Sequence, residues 1–530
     1  MRLQAAVTDL ITARPRWCAL AAGGVAACGF QPFGLWPLTL LAVALLIELI
    51  ARASSWKHSF MLGWLFGVGH FAIGNFWIAT AFTYQANMPV WLGGIAVLVL
   101  ALYLAVWPAL AALGAWALGR RAVLALLPAF AACWIVSEWL RAWVFTGFAW
   151  NPLGIALLGG FDTPGLALLT PWIGTYGLSG LAVLLAGILR NLLTGKGLGH
   201  RRAIQFAGWA ALVGGVMLAP AFWLPAPQGT LPYTLVQPDI RQETLDDPAL
   251  FEANFRKTAA LTLPRQPGER RLVLWPESGV PDYLRDGYPA WLYEGMTWSG
   301  DPAMARGRIG NVIGPGSLLL TGAVDLEVVD GRPVAARNVV TAIDQRGTIR
   351  GSYAKAHLVP YGEYLALRWL LEPLGATRLV PGALDFWPGP GPRTLDLGPW
   401  GKAGVQICYE IIFSGQVVDR AHRPDYIFNP SNDGWFGSWG PPQHLAQARL
   451  RAIEEGLPVL RSTTTGISAV IDADGVVRRF VPHHVAGRLD SMVPPAHPPT
   501  LFAKLGNAIP LGIAAVLLVL SLVALRRGRS

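Results

Sequence analysis

The chain returns repeatedly to apolar stretches about as long as the hydrocarbon of a bilayer is thick. They lie at about 17–30, 36–51, 59–82, 90–116, 122–140, 166–189, 204–224 and 508–525, and a helix needs about 20 such residues to cross. The first two are short and broken by Phe30-Gln31-Pro32-Phe33-Gly34, which predicts a tight helical hairpin. The loops between the stretches alternate in charge. Arg2, Arg14 and Arg16, then Arg52 and Lys57, then Arg120 and Arg121 fall on one side. Arg190, Lys196, Arg201 and Arg202 join them, as do Arg526, Arg527 and Arg529, and the intervening short loops hold only Arg141. Such asymmetry places both termini in the cytoplasm, and the segment after the seventh stretch then faces the periplasm. The expected layout is a membrane domain of about seven transmembrane helices over 1–228, a periplasmic domain over 229–500, and a C-terminal transmembrane helix with a cytoplasmic basic tail over 501–530. Val25-Ala26-Ala27-Cys28 looks like a lipoprotein-processing box, but the next apolar stretch follows at once, so an uncleaved first span is the better reading.

Charged residues make up 14% of the chain, against roughly 25% in soluble proteins. The net charge of +10 does not indicate a nucleic-acid partner. Residues 229–500 hold 26 Lys and Arg against 28 Asp and Glu, a net of 26 − 28 = −2, so the surplus sits beside apolar spans, where it sets topology. Within 229–500, β-type runs at Tyr233–Gln237, Leu272–Trp275, Leu318–Ala323, Asn338–Ile343, Thr348–Tyr353, Gly404–Cys408, Asp425–Asn429, Val459–Ser462 and Ser468–Ile471 interleave with helical patterns. The helices are expected at Pro248–Ala260, Ile411–Ala421 and His444–Glu455, which makes a layered α/β domain.

Three of those β-runs end in a reactive side chain. Leu272-Val273-Leu274-Trp275-Pro276-Glu277 ends in a carboxylate, Ser352-Tyr353-Ala354-Lys355 in an amine, and Gly404-Val405-Gln406-Ile407-Cys408 in a thiol. Strand ends are where α/β sheets build sites. A carboxylate can take a thiol proton, and a cation can favour the thiolate and then an oxyanion. Singly, each has a plainer explanation: a solvated Glu, a surface Lys, a core Cys. Cys18, Cys28 and Cys133 lie in apolar stretches, so Cys408 has no partner for a disulfide within its domain. A lone thiol outside the cytoplasm is either reactive or a small buried hydrophobe, and the count alone leaves both open.

Taken together, Trp-Pro-Glu-Ser, Tyr-Ala-Lys-x-His-Leu-Val-Pro-x-Gly-Glu and Ile-Cys-Tyr-Glu resemble the catalytic segments of the nitrilase (carbon-nitrogen hydrolase) superfamily. Asn432-Asp433-Gly434-Trp435-Phe436-Gly437 follows, before His444 and Arg449-Leu450-Arg451-Ala452-Ile453-Glu454. Seven preceding spans, one following span and Ser137-Glu138-Trp139-Leu140-Arg141 with Phe145-Thr146-Gly147-Phe148 are similar to the apolipoprotein N-acyltransferase branch. The resemblance implies a multi-span α-helical membrane domain carrying an αββα nitrilase-like domain. It also implies Glu277 as general base, Lys355 as stabiliser of oxyanion and thiolate, and Cys408 as nucleophile. Glu363 and Glu410 are then acids orienting Lys355 and the thiol, and Tyr409 lines the pocket. Trp435, Phe436 and Trp439 are read either as acyl contacts or as core.

By the same resemblance, the reaction moves a fatty acyl chain from a membrane phospholipid, through a thioester, to the diacylglyceryl-cysteine amine of an apolipoprotein, the last step of lipoprotein maturation. It needs no cofactor and no metal, and a monomer is expected to suffice. One departure is visible: the stretch Gln237-Pro238-Asp239-Ile240-Arg241-Gln242 to Pro248 lacks the Trp that such sequences carry, which leaves the lid over the site unassigned. Two rivals stand beside this reading, a membrane-tethered amidase or nitrile hydrolase and a non-catalytic lipid scaffold. The former conflicts with the multi-span base, and the latter makes the three residues a coincidence. His483-His484 lacks further metal ligands, Asp472-Ala473-Asp474-Gly475 reads as a hairpin turn, and Gly314-Pro315-Gly316 as a plain turn. Glu138 and Arg141, one helical turn apart, either meet substrate or hold helices together.

Overall fold

The computed structural model describes residues 12–84, 89–120, 123–194, 200–219, 229–374 and 384–527. These form two compact units, one within Met1–Ala79, Pro89–Trp223 and Pro499–Ser530, the other within Thr80–Met88 and Leu224–Pro498.

Among the described residues the first unit is built of helices, with one isolated β-bridge between Leu158 and Gly165. Among the described residues four helices are long and apolar enough to cross a membrane: Trp91–Gly119, Leu124–Arg141, Leu166–Thr194 and Ala508–Arg527. A fifth is counted if Trp56–Gly74 and Phe76–Tyr84, bent by 45°, make one span. Trp36–Ala51 and Ala203–Leu218 are apolar but shorter. The 16 residues of Trp36–Ala51 rise about 24 Å at about 1.5 Å per residue, short of a hydrocarbon layer of about 30 Å. The hairpin at the start is present. Pro15–Ala27 and Trp36–Ala51 are joined by a tight turn, and the Thr39 hydroxyl donates to the Ala26 carbonyl at 2.7 Å. Pro15–Ala27 also lies against Trp56–Gly74 so closely that a Cβ on Gly23 would sit 1.9 Å from the Phe66 carbonyl oxygen. Small residues allow backbones to approach in this way.

Glu138 and Arg141 hold helix to loop. Glu138 accepts from Trp134 Nε1 and from the Leu153 amide, both at 2.8 Å. Arg141 donates to the Trp150 carbonyl at 2.9 Å and lies over the Phe71 ring. Of the two readings offered by the sequence, these contacts are those of a structural clasp.

Among the described residues the second unit contains twelve strands: β1 Pro232–Gln237, β2 Leu272–Leu274, β3 Leu318–Val329, β4 Arg332–Asp344, β5 Ile349–Ala354, β6 Thr394–Asp396, β7 Lys402–Val405, β8 Tyr426–Ser431, β9 Val459–Thr463, β10 Ser468–Ile471, β11 Val477–Val481 and β12 Gly487–Met492. They form two six-stranded sheets, ordered β12-β1-β2-β3-β4-β5 and β11-β10-β9-β8-β7-β6. The central pairs β1–β2, β2–β3, β7–β8 and β8–β9 are parallel, and parallel strands are buried on both faces, as their unbroken apolar runs require. The sheets face each other, with the Ser462 hydroxyl of β9 donating to the Val236 carbonyl of β1 at 2.8 Å. Helices Phe251–Thr262 and Pro302–Ile313 cover the first sheet through Phe255, Ala305, Ile309 and Ile313. Gly440–Glu455 packs against the second. The result is the αββα sandwich expected.

Several elements differ from the sequence reading. The stretch expected as a helix over Ile411–Ala421 is a short 3-10 turn, Cys408–Ile412, followed by irregular chain. The apolar spacing is present, but Gly415 at φ 77° interrupts any helix there. The thiol strand is shorter than expected, with β7 ending at Val405. Helix Pro302–Ile313 was masked by Gly307 and Gly310 and announces itself only through its cap, where Asp301 accepts from the Ala303 amide at 2.7 Å. Strand β11 is interrupted by Arg478 and Arg479 and β12 carries Arg488, Asp490 and Ser491, so pairing with β10 and β1 defines them rather than their own pattern. The turn at Asp472–Gly475 is a hairpin, as read, with Asp472 Oδ1 accepting from the Asp474 and Val476 amides.

Gly322 of β3 illustrates how tightly the sheet is fitted to the segment after β2. A Cβ there would lie 2.6 Å from Glu277 Cα and from the Ser278 nitrogen. Gly322→Ala should therefore cost about 1–3 kcal/mol, as overpacking does, and lower the melting temperature of the purified protein. An unchanged thermal melt would show that the strand shifts freely.

Candidate functional site

The site is assembled from four strand ends. Trp275, fully buried, anchors the exit of β2 by donating Nε1–H to the Thr262 hydroxyl at 2.8 Å. Two residues later Glu277 is presented with both carboxylate oxygens engaged. Oε1 accepts from Asn338 Nδ2 at 2.7 Å and lies 3.4 Å from Lys355 Nζ, while Oε2 accepts from the Asn432 amide at 2.7 Å. Lys355 follows β5 and is fixed by its backbone, its N–H donating to the Asn338 carbonyl at 2.9 Å and its carbonyl accepting from Gly389 N–H at 2.7 Å. The ammonium also donates to Glu363 Oε1 at 3.0 Å. Asn338 Nδ2 reaches the same Glu363 oxygen at 3.0 Å, and Glu363 Oε2 accepts from the Val359 amide at 2.8 Å. Burial alone would push the Lys355 ammonium down, but Glu363 and Glu277 outweigh it and hold it above its ordinary range.

Cys408 opens the 3-10 turn after β7 with φ +50°, a left-handed backbone that costs a non-glycine residue about 1–3 kcal/mol and persists only when its surroundings impose it. Glu410 supplies one such restraint. Its Oε2 accepts from the Ile407 amide at 2.7 Å, and its Oε1 from Tyr353 OH and the Ala356 amide, both at 2.7 Å, and from the His357 amide at 3.2 Å. It thereby ties the thiol turn to the chain entering and leaving Lys355. Burial pushes the Cys408 thiol well above its ordinary range, with Glu277 acting in the same direction and Lys355 against it. The resting thiol is thus neutral, and it feels the charges of the two groups that could take its proton and stabilise its anion. A thiol that feels the charges of a hydrogen-bonded carboxylate and a buried ammonium can carry out nucleophilic acyl chemistry.

Residues 22–188 match the family model described as the apolipoprotein N-acyltransferase N-terminal domain, and residues 234–484 that described as carbon-nitrogen hydrolase. The chain is 35% identical to the apolipoprotein N-acyltransferase of Rhodopseudomonas palustris, over 96% of this chain and 94% of that protein. It is 34% identical to that of Bradyrhizobium diazoefficiens over the same shares. The chain belongs to the apolipoprotein N-acyltransferase family. Among solved structures, an amidase from Nesterenkonia sp. is similar at 18% identity, over 51% of this chain and 93% of that chain, with a TM-score of 0.30.

The other residues singled out in this N-acyltransferase-family sequence have varied surroundings. Tyr409 is buried edge-on against Phe413, on which His357 also stacks. Phe436 is buried with its ring against His444, whereas Trp435 is half-buried and meets Tyr84 edge-on at 5.6 Å. Trp439, half-buried, directly precedes helix Gly440–Glu455. The stretch without Trp is held by polar contacts. Gln237 donates to the carbonyls of Pro482 and Val485, both at 2.8 Å, and Gln242 accepts from Asn432 Nδ2 at 2.7 Å. Beyond it, a cavity of about 140 Å³ opens beside Ser278 and Gly279, lined by Ile240, Leu245, Phe251, Phe255, Val280, Met296 and others. His483 and His484 stack on each other, and His484 Nδ1 lies 2.9 Å from the Thr465 hydroxyl.

Asn338 escaped the sequence reading. Its only sequence signal is an amide opening an otherwise apolar strand run. Removing its bonds to two carboxylates, each a charged hydrogen bond worth about 1.5–3 kcal/mol, should make Asn338→Leu at least about tenfold slower in acyl transfer with KM little changed. Equal rates for wild type and variant would deny Asn338 a place in the site.

Glu410 gives a pH signature. Burial raises its carboxyl from 4.5 to about 7 despite the donors around it and Lys355. It therefore binds its proton more tightly folded than unfolded, and its contribution to stability is complete below about 4.5 and is lost as pH rises through about 7. The melting-temperature difference between wild type and Glu410→Gln should fall across that window, and a flat difference would contradict the shift.

Proposed function

We propose that this protein transfers a fatty acyl chain from a phospholipid to the α-amino group of a diacylglyceryl-cysteine at the N-terminus of an apolipoprotein. The observation that carries the reading is the buried Glu277–Lys355 pair acting electrostatically on a neutral Cys408 thiol held in a left-handed turn. Family membership supports the substrates, since the relatives are named as apolipoprotein N-acyltransferases.

Glu277 takes the thiol proton as Cys408 Sγ attacks the ester carbonyl carbon, and the Lys355 ammonium faces the oxyanion. The tetrahedral intermediate collapses to the thioester, and the lysophospholipid oxygen leaves with the proton from Glu277. An amine then attacks the thioester carbon, Glu277 takes its proton, and collapse expels the Cys408 thiolate, which recovers that proton as the amide leaves. Glu363 and Asn338 hold Lys355 and Glu277 in place, and Glu410 holds the thiol turn. The mostly apolar cavity beside Ser278 and Gly279, about 140 Å³, is the size of cavities that accept a benzene-sized group, which suits part of an acyl chain. Tyr409, Trp435 and Phe436 are assigned to the walls around the thiol.

In this reading the enzyme resides in a bacterial inner membrane, with about seven spans over 1–228, the catalytic domain over 229–500 in the periplasm, and a last span over 501–530. The fourteen basic residues in alternate loops support cytoplasmic termini. Both substrates then reach the site from the bilayer, and no cofactor or second subunit enters the reaction.

Incubating the purified enzyme with phospholipid alone should add one acyl mass to the protein, absent in Cys408→Ala. Glu277→Gln and Lys355→Met should also fail to load. Adding a diacylglyceryl lipopeptide should discharge the thioester into an acylated peptide. Amide hydrolysis without acylated peptide would overturn the reading in favour of a tethered amidase.

A further inference from the structure

Below the thiol turn lies a charged cluster to which the reaction above gives no role. Asp433, His444 and Arg461 are each fully buried. His444, on helix Gly440–Glu455, places Nε2 at 3.1 Å from the carbonyl oxygen of Cys408. Its Nδ1 lies 3.0 Å from Asp433 Oδ1 and 3.0 Å from Arg461 Nη2. Arg461, on β9, donates Nη2 to both Asp433 oxygens at 2.8 and 2.6 Å. Its Nη1 donates to the Ser431 hydroxyl at 3.0 Å and to Asn429 Oδ1 on β8.

A carbonyl oxygen can only accept, so Nε2 carries a hydrogen and donates it to Cys408. Nδ1 lies between the Asp433 carboxylate and the Arg461 guanidinium, which fix the direction of the ring, and burial together with the Arg461 charge holds the imidazole below its ordinary range. The Nε2 hydrogen thus reaches the carbonyl of the one residue in the turn with a left-handed backbone. Glu410 grips the same turn from the other side through the Ile407 amide, so the Gln406–Ile407 peptide upstream of Cys408 and the Cys408–Tyr409 peptide after it are each held by a buried side chain.

We infer that His444, oriented by Arg461 and Asp433, is a positioning residue that fixes the direction of the Cys408 side chain by hydrogen-bonding the Cys408 carbonyl. The inference rests on Cys408 being the nucleophile. Cys408 has φ +50° and its thiol feels the charges of Glu277 and Lys355, and nothing in the turn's own sequence favours that conformation. A displacement of about 1 Å at a reacting group can cost about 100-fold in rate, so a loosened carbonyl should appear in turnover rather than in lipid affinity.

The test compares His444→Leu, which lacks the donor, with His444→Gln, whose amide NH₂ can reach the same oxygen, and His444→Asn, which is polar but too short. Two readouts are taken on detergent-purified protein: acyl-thioester formation from phospholipid, and the rate of iodoacetamide alkylation at Cys408 measured on its peptide. Leu and Asn should slow thioester formation by about 100-fold with KM for phospholipid nearly unchanged, and Gln should recover to within about tenfold of wild type. Equal impairment of folded Gln and Asn variants, or a normal rate in Leu or Asn, would overturn the positioning role. Should Leu fail to fold, the Gln and Asn pair decides alone. Wild type that forms no thioester would sink the nucleophile assignment instead, and the alkylation series would still report whether His444 orients the thiol.

Discussion

The site depends on one buried cation. The Lys355 ammonium, almost without solvent exposure, is held by Glu363 at 3.0 Å and Glu277 at 3.4 Å. An isolated charge at such depth would be costly, and removing one partner of a buried pair leaves an uncompensated charge that typically costs about 3–5 kcal/mol. The surrounding fold meets that demand in detail. Asn338 bridges the two carboxylates, its carbonyl fixes the Lys355 amide, and Asn432 and Val359 supply the remaining donors. These groups come from β2, β4, the end of β5, the loop beyond it and the end of β8. The first sheet cannot hold the cluster without the second, since Asn432 follows β8. Placing one ammonium therefore fixes the stacking of both sheets at their shared end.

Much of this was legible in the sequence, for identifiable reasons. Glu277 and Cys408 each close a hydrophobic run, and buried parallel strands leave that run as a clear local signal, whereas Lys355 follows the more polar antiparallel edge strand β5 and was legible through its motif. The αββα layering followed from the alternation of such runs with helical spacing. Asn338, Gln242 and the role of His444 were not legible, because each acts through a partner 25 to 190 residues away. Strands β11 and β12 escaped for the related reason that their polar side chains reflect an edge position, known only once β10 and β1 are in place. The helix expected over Ile411–Ala421 failed on backbone grounds. The apolar pattern there serves a turn forced by the left-handed Cys408 and interrupted at Gly415. In the first unit the apolar stretches became helices, yet their helical lengths differ more than their hydropathy suggested, since Pro and Gly trim Pro15–Ala27 and kink the helix through Gly174 at φ 67°.

The same charge arithmetic bears on the order of events. Ionising Cys408 into solvent would add a negative charge to a buried cluster that already holds two carboxyl side chains, so burial and Glu277 both hold the thiol protonated. Moving the proton onto Glu277 instead leaves the total unchanged and turns a neighbouring repulsion into a neutral carboxyl beside a thiolate. The thiolate is then favoured only together with a protonated Glu277, the state in which a proton is ready for a departing alkoxide. In the proposed reaction, Sγ bonding to carbon would pass its charge to the carbonyl oxygen, where the same ammonium would serve the oxyanion. Lys355 would not need to titrate at any step, since its two carboxylates raise its proton affinity. On that proposal the site keeps Cys408 unreactive until a carbonyl is in place, the property that acyl transfer in competition with water requires.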